Sequence, residues 1–183
     1  LTQQRGIANF TPSGRVLTAL SDEYKVQIWD PTGTKLEKTV VRKYKPIPQG
    51  DDEIMAFTEP VRETIIQALP AQFKELITDN VVRKAIELAE FPPYKTPIFG
   101  LIPLPDEGFL VIHDISQVGH STRADIFSPE GKYLGHFSLP HLAFGGMSGS
   151  PRWIFTDTHA YVLDLTDDSE NVLIRYSYER VAM

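Results

Sequence analysis

An internal repeat is the feature that most constrains how this chain can fold. Residues 10–36 and residues 104–134 follow the same order, with a turn, an apolar strand, a polar connection, a strand ending in an aromatic residue, a Pro-x-Gly turn and a last strand. Gly14 and Gly108 align at the first turn of each copy. A repeat of this kind indicates a fold built from copies of one small supersecondary unit.

The second turn of each copy predicts a β-hairpin. Asp30–Gly33 and Ser128–Gly131 both place proline second and glycine last. Proline presets φ at that position, glycine tolerates the backbone that ends the turn, and Asp or Ser bonds back to the chain. Apolar and polar residues alternate on either side, which is the period of half-buried antiparallel strands. Gly33 and Gly131 are therefore each expected to close a hairpin between the two outer strands of a four-stranded sheet.

A third, looser copy follows the second. It begins near Trp153 and contains a strongly alternating strand at residues 171–179. The three copies predict three antiparallel, propeller-like blades at about residues 7–45, 97–140 and 151–180, the last without its outer strand.

Between the first two copies the apolar period changes from two to about 3.6. This change predicts a helical insertion at about residues 51–93. Thr58 is a candidate helix cap with Pro60 in the first turn, Pro70 restarts a helix, and Asp79 is a candidate cap for a third helix. An insertion packed on the rim or face of the blades is the simplest interpretation. A lid or a partner-docking pair of helices is the alternative.

Composition narrows the function classes. Hydrophobic residues make up 42% and charged residues 23% of the 183 positions, which is the balance of a globular protein. The net charge of −6 argues against a general nucleic-acid binder, which needs a basic surface. The absence of cysteine excludes disulfides and thiolate sites. No apolar run approaches the length of a transmembrane helix, and a start at Leu1 with neither methionine nor a signal sequence suggests a processed or partial chain.

Several segments together resemble a known group of proteins. These segments are Phe10–Gly14, Ser21–Val26, Trp29–Gly33, Tyr44–Pro46, Asp106–Gly108, Ile126–Gly131, Tyr161–Val162 and Val172–Tyr176. They resemble the last three blades of bacterial six-bladed β-propellers of the TolB-like and NHL-like class. The resemblance implies an all-β fold in which residues 1–183 form one partial propeller of about three blades. It also implies export to the periplasm or cell exterior, often with a lipid anchor. Roughly half of such a propeller is absent from this chain.

Candidate ligand-binding residues lie in and beside the hairpin loop of the second copy. His113 stands beside Asp114, and His120 follows in the next hairpin loop together with Arg123. Loops on a rigid sheet frame commonly hold ligand sites. A solvated or hydrogen-bonded loop histidine is the alternative. No catalytic, metal or cofactor site is predicted, because the histidines lack metal-site spacing and Gly145–Ser150 matches neither a nucleophile elbow nor a P-loop.

Three function hypotheses follow from the sequence. The preferred one is a non-enzymatic propeller module that binds a protein or small ligand. A propeller-type hydrolase or lyase that shares its metal site with a missing half is the second, and a structural subunit docked through the helical insertion is the third. A three-blade arc also predicts a partner, either a missing N-terminal propeller half or a second copy.

Overall fold

The structure is a computed structural model that describes residues 5–88, 91–116, 121–139, 144–145, 150–151, 153–164 and 172–177. The chain divides into two compact units. The described residues between 46 and 95 form the helical unit, and the described residues before 46 and after 95 form the β unit.

The β unit consists of antiparallel sheets formed by strands that are consecutive in the chain. Sheet 1 contains β1 (Gly6–Phe10), β2 (Val16–Leu20), β3 (Lys25–Trp29) and β4 (Leu36–Val41). Sheet 2 contains β5 (Gly100–Pro103), β6 (Phe109–Ser116), β7 (Ser121–Phe127) and β8 (Tyr133–Leu139). After a two-stranded pair, β9 (Phe144–Gly145) and β10 (Ser150–Pro151), sheet 3 contains β11 (Trp153–Phe155), β12 (His159–Asp164) and β13 (Val172–Ser177). The predicted all-β class fits this architecture.

Both predicted hairpins are confirmed. Trp29 pairs with Leu36 across the first turn, and Phe127 pairs with Tyr133 across the second. In each turn the glycine amide donates to the carbonyl three residues earlier, at 2.9 Å and 2.8 Å. Gly33 and Gly131 have φ of 68° and 73°, in the left-handed region that glycine adopts without strain.

The alignment of Gly14 with Gly108 is wrong by one residue. Gly14 has φ of 86°, and the residue at the corresponding point of the β5–β6 turn is Glu107, with φ of 68°. Gly108 is required for a different reason, since a Cβ there would lie 2.7 Å from the Phe127 carbonyl oxygen. The Glu107 carboxylate accepts a hydrogen bond from the Ser13 amide at 2.7 Å. This bond joins the β5–β6 turn to the β1–β2 turn and helps to hold Glu107 in its left-handed backbone conformation.

The three sheets pack face to face in chain order, with sheet 2 in the middle. Sheet 2 is therefore buried on both faces, and the four consecutive β6 residues Phe109–Ile112 are at most 2% exposed. One core lies between sheets 1 and 2, and a second lies between sheets 2 and 3.

Each sheet has a leading face, which points toward the next sheet in chain order, and a trailing face on the other side. The leading faces that enter the two cores are mostly aliphatic but also carry Tyr24 and Phe137; their aliphatic members are Leu17, Ala19, Val26, Ile28 and Val40 in sheet 1, and Ile102, Leu110, Ile112, Ala124 and Ile126 in sheet 2. The trailing faces that meet them combine aromatic with aliphatic side chains: Leu101, Phe109, Val111 and Phe127 in sheet 2, and Trp153, Phe155, Ala160, Val162 and Tyr176 in sheet 3.

The helical unit contains α1 (Asp51–Ala68), α2 (Ala71–Lys74) and α3 (Asp79–Leu88). Its two flanks pair with each other, because the Gln49 amide donates to the Pro93 carbonyl at 3.0 Å and the Lys95 amide donates to the Ile47 carbonyl at 2.8 Å. The unit therefore begins and ends at neighbouring points.

The predicted helical region is present, and Pro70 precedes α2 as expected. The prediction that Thr58 caps the first helix is wrong, because α1 begins seven residues earlier at Asp51. Three acidic residues in its first turn favour that start, since negative charge stabilises a helix N-terminus. Thr58 lies inside α1, where its hydroxyl donates to the Ile54 and Met55 carbonyls at 3.0 Å. Asp79 is the first helical residue of α3, and the Val82 amide donates to the carbonyl of Thr78 before it.

Candidate functional site

A buried carboxylate lies between sheets 1 and 2. Asp125 lies in β7 on the trailing face of sheet 2, two residues before Phe127, and is 1% exposed. A buried carboxylate is costly unless it is paired and hydrogen-bonded. Its partners should therefore account for its position.

Two partners come from sheet 1, far away in the sequence. The Tyr24 hydroxyl donates to Asp125 Oδ2, and Arg42 Nη1 forms an ion pair with the same oxygen. Tyr24 directly precedes β3 and Arg42 directly follows β4, so both stand at the same end of sheet 1. Asp125 thus links two neighbouring sheets through charged and neutral donors.

His113 completes this group, which we call the Asp125 cluster: Tyr24, Arg42, His113 and Asp125. A β-bulge between Ile112 and Asp114 places His113 on β6 as the extra residue. Its Nε2 lies 3.6 Å from Asp125 Oδ1, too far for a hydrogen bond. Within the described part of the chain, Asp125 Oδ1 and His113 Nδ1 are buried atoms without a hydrogen-bond partner.

The environment shifts the pKa of three cluster members. Burial lowers the pKa of His113, against the opposing charges of Asp125 and Asp114, so its imidazole is neutral at neutral pH. Burial and the hydrogen bond to Asp125 raise the pKa of Tyr24, which keeps its hydroxyl protonated. Burial lowers the pKa of Arg42, but its bond to Asp125 outweighs this and raises the pKa above the ordinary value.

The cluster reaches the surface through Arg42. The guanidinium stacks on the Tyr133 ring, 4.2 Å from its centroid, and Tyr133 Oη lies 3.2 Å from His136 Nδ1. This cation–π contact places the cationic head between the buried carboxylate and solvent.

The three residues predicted to bind a ligand do not lie together in one described site. His113 belongs to the cluster. Arg123 lies beside it on β7, with its side chain 60% exposed and its Nε 3.8 Å from Asp114 Oδ2. His120 lies outside the described residues. The sequence analysis missed Asp125 and its two donors, although an acidic residue directly before the strand-ending Ile126-Phe127 was an available signal.

The chemistry of the Asp125 cluster fits cohesion of the sheets better than catalysis. One carboxylate oxygen is occupied by two donors, and the tyrosine that could act as a nucleophile is held protonated. Among the residues that the structure describes, no group of three or more His, Cys, Asp or Glu side chains could hold a metal ion.

A groove lies at the opposite end of the strands. Its lining comes from the ends of β1 and β5 with the turns that follow them, and from β11: Asn9, Phe10, Thr11, Pro12, Ile102, Pro103, Leu104, Pro105, Trp153, Ile154 and Phe155. The first strand of each sheet thus contributes to one groove, whose volume is about 520 Å³. Ligand sites commonly have volumes in this range.

The groove is uncharged. None of its lining side chains is ionisable, and three of them are prolines, whose carbonyls accept hydrogen bonds while their backbone nitrogens cannot donate. The Asn9 amide is engaged within the fold, because its Nδ2 donates to the Leu101 carbonyl at 3.0 Å and its Oδ1 accepts from the Phe10 amide at 2.8 Å. The groove therefore favours an apolar ligand that supplies hydrogen-bond donors to these carbonyls, and it disfavours an ionic ligand.

No protein-family model and no curated protein matches this chain. None of the helices in the described ranges is long and apolar enough to cross a membrane.

Proposed function

We propose that the β unit is an arc of a β-propeller and acts as a non-enzymatic binding module for an uncharged, mainly apolar ligand. The observation that carries this proposal is the groove, to which the first strands of all three sheets contribute. Blades that are stacked face to face around an axis bring their first strands together in this way.

Two further features support the propeller. Each sheet is a meander of consecutive strands, and a sheet buried on both faces is what a blade between two blades requires. The resemblance of the sequence to six-bladed propellers of the TolB-like and NHL-like class agrees with this arrangement. The same resemblance supports the proposal that the protein is located outside the cytoplasm.

The two tryptophans of the chain offer a direct test of ligand binding. Trp153 lines the groove, and Trp29 lies on the trailing face of sheet 1. A short peptide of leucine and phenylalanine, blocked at both ends, serves as the uncharged probe. We expect its titration to shift the Trp153 indole N–H signal in an NMR spectrum, saturably, and to leave the Trp29 signal in place.

Two matched controls sharpen this test. Pro12→Glu places a charge on the exposed rim of the groove and should weaken the binding, whereas Pro31→Glu makes the same change at the exposed β3–β4 turn and should not. The same peptide with aspartate in place of one leucine should bind more weakly. Equal shifts of both indole signals, or equal effects of the two variants, would contradict the proposed site.

A further inference from the structure

Glu107 has an unusual backbone conformation close to the groove. Among the described residues it is the one residue other than glycine with a φ in the left-handed region. Such a conformation costs free energy and persists only where surrounding contacts hold it, and it concentrates at binding sites and active sites. Glu107 lies in the β5–β6 turn, which also contributes Leu104 and Pro105 to the lining of the groove. Its strained backbone is therefore next to the proposed ligand.

The carboxylate of Glu107 binds the neighbouring turn, between β1 and β2. Its Oε1 accepts from the Ser13 amide at 2.7 Å, and its Oε2 accepts from the Ser13 hydroxyl at 2.5 Å. Slight burial raises the pKa of Glu107, but the hydrogen bonds that it accepts, mainly from Ser13, outweigh burial and lower the pKa below its ordinary value. The carboxylate is therefore charged at neutral pH, and charge-assisted bonds of this kind are stronger than neutral ones.

Arg15 joins the same two turns a second time. Its Nη2 donates to the Glu107 carbonyl at 3.4 Å and lies 3.8 Å from Glu107 Oε2. Its Nη1 donates to the Pro129 carbonyl at 3.2 Å, in the β7–β8 turn of sheet 2. The β1–β2 turn is therefore attached to sheet 2 through both Ser13 and Arg15.

Both of the joined turns form part of the groove. The β1–β2 turn contributes Thr11 and Pro12 to the lining. The Thr11 amide donates to the Arg15 carbonyl at 3.0 Å and closes the turn around Ser13, so a bond that fixes Ser13 also fixes the two lining residues. The contact between Glu107 and Ser13 therefore sets the position of one part of the groove wall relative to another.

We infer that Glu107 is a positioning residue of the groove, whose bonds to Ser13 hold the two turns in the arrangement that receives the ligand. This inference rests on the proposed function, because it concerns the same site. A surface that is held in its binding shape loses less conformational freedom when the ligand arrives, and it binds more tightly for that reason. Glu107 is outside the described lining of the groove, so it acts on the ligand through the two turns.

Three substitutions in the full chain test this role. Glu107→Gly removes both bonds to Ser13, and glycine adopts the left-handed backbone without strain. Glu107→Gln is the conservative variant, because its carboxamide oxygen can still accept from the Ser13 amide. Glu23→Gly is the matched control, since this carboxylate lies 3.6 Å from Lys25 Nζ at the β2–β3 turn, at the opposite end of the strands.

The first measurement is amide hydrogen exchange without ligand. We expect the Thr11 amide to exchange about tenfold faster in Glu107→Gly than in the wild type, because its turn has lost the two bonds at Ser13. Glu107→Gln and Glu23→Gly should leave this rate unchanged. The midpoint of chemical denaturation should stay the same in Glu107→Gly, since the relief of backbone strain offsets the lost bonds.

Two results of this measurement would overturn the inference. An unchanged exchange rate of Thr11 in Glu107→Gly would show that Glu107 does not hold the β1–β2 turn. A clearly lower denaturation midpoint would show that the residue stabilises the fold as a whole and has no particular role at the groove.

The second measurement is the titration with the blocked peptide of leucine and phenylalanine. We expect the dissociation constant to rise about fivefold in Glu107→Gly and to stay near the wild-type value in Glu107→Gln and Glu23→Gly. Faster exchange of Thr11 with an unchanged peptide affinity would overturn the positioning role and leave the groove as the binding site. A wild type that does not bind the peptide would count against the proposed function, whereas the exchange rate of Thr11 still decides whether Glu107 holds the groove wall.

Discussion

At the scale of single residues, Asp125 links sheet 1 to sheet 2. Its carboxylate is buried and holds Arg42 and Tyr24 of the neighbouring sheet. We expect Asp125→Asn to lower the free energy of unfolding by about 1–3 kcal/mol, because it leaves a half-buried guanidinium without its charge partner. Chemical denaturation measures the change.

The control for this substitution is Arg123→Gln. Its guanidinium also pairs with a carboxylate, that of Asp114, but is 60% exposed. An exposed pair contributes little, so we expect a loss within about 0.5 kcal/mol. Equal losses in the two variants would show that burial of Asp125 does not determine the strength of the link.

His113 makes the stability of the β unit depend on pH. Burial lowers its pKa below 6.5 in the folded chain, against the carboxylates of Asp125 and Asp114 and with the help of Arg42 and Arg123. The unfolded chain therefore binds more protons than the folded chain between that lowered pKa and 6.5. The stabilisation is fully present above the unfolded pKa and is lost as the pH falls through the folded pKa.

The measurement is chemical denaturation of the wild type and of His113→Gln at about pH 7.5 and about pH 5.5. We expect the wild type to lose more stability than the variant on acidification. His136→Gln makes the same change at an exposed histidine and reports the effect of the substitution itself. An identical loss in the wild type and His113→Gln would rule out His113 as the source.

At the scale of elements, the helical unit is expected to be dispensable for the sheets. Its flanks are hydrogen-bonded to each other, so a short glycine-serine linker can replace residues 46–95. Among the described residues, both cores of the β unit are formed by residues of that unit. We expect the β-sheet signal in circular dichroism and cooperative unfolding to survive the deletion. Loss of the sheet signal would show that the helices complete a core.

Local structure is what the sequence predicts best in this chain. The Pro-x-Gly turns, the alternating strands and the helical region depend on residues close together in the chain, and each was recognisable. The left-handed backbone of Glu107 was not predicted, because such a conformation at a non-glycine residue is sustained by contacts distant in the sequence, here with Ser13. The start of the first helix was predicted too late, at Thr58, because the acidic first turn of α1 outweighs the capping tendency of a threonine further along the chain.

The candidate site was only partly predictable for the same reason. His113 was recognised, but its neighbour Asp125 is held by residues 101 and 83 positions away. A pattern within one strand shows that a polar residue interrupts an apolar face, and it carries no information about which sheet supplies the partner. The groove depends likewise on strand ends from three separate segments.

At the scale of the whole molecule, the doubly buried middle sheet determines how the protein can come apart. Among the described residues, one core joins sheets 1 and 2 and a second core joins sheets 2 and 3, so sheet 1 or sheet 3 can detach while the other core stays intact. Sheet 2 has no such route, since opening it breaks both cores.

Amide hydrogen exchange should therefore report a hierarchy. We expect the amides of Val111 and Ile112 in β6 to exchange only through global unfolding, with the highest protection in the chain. The strands of the two outer sheets should exchange through smaller openings of lower free energy. Uniform protection across all three sheets would instead mean that the stack opens as a single unit, with its ends as firmly held as its centre.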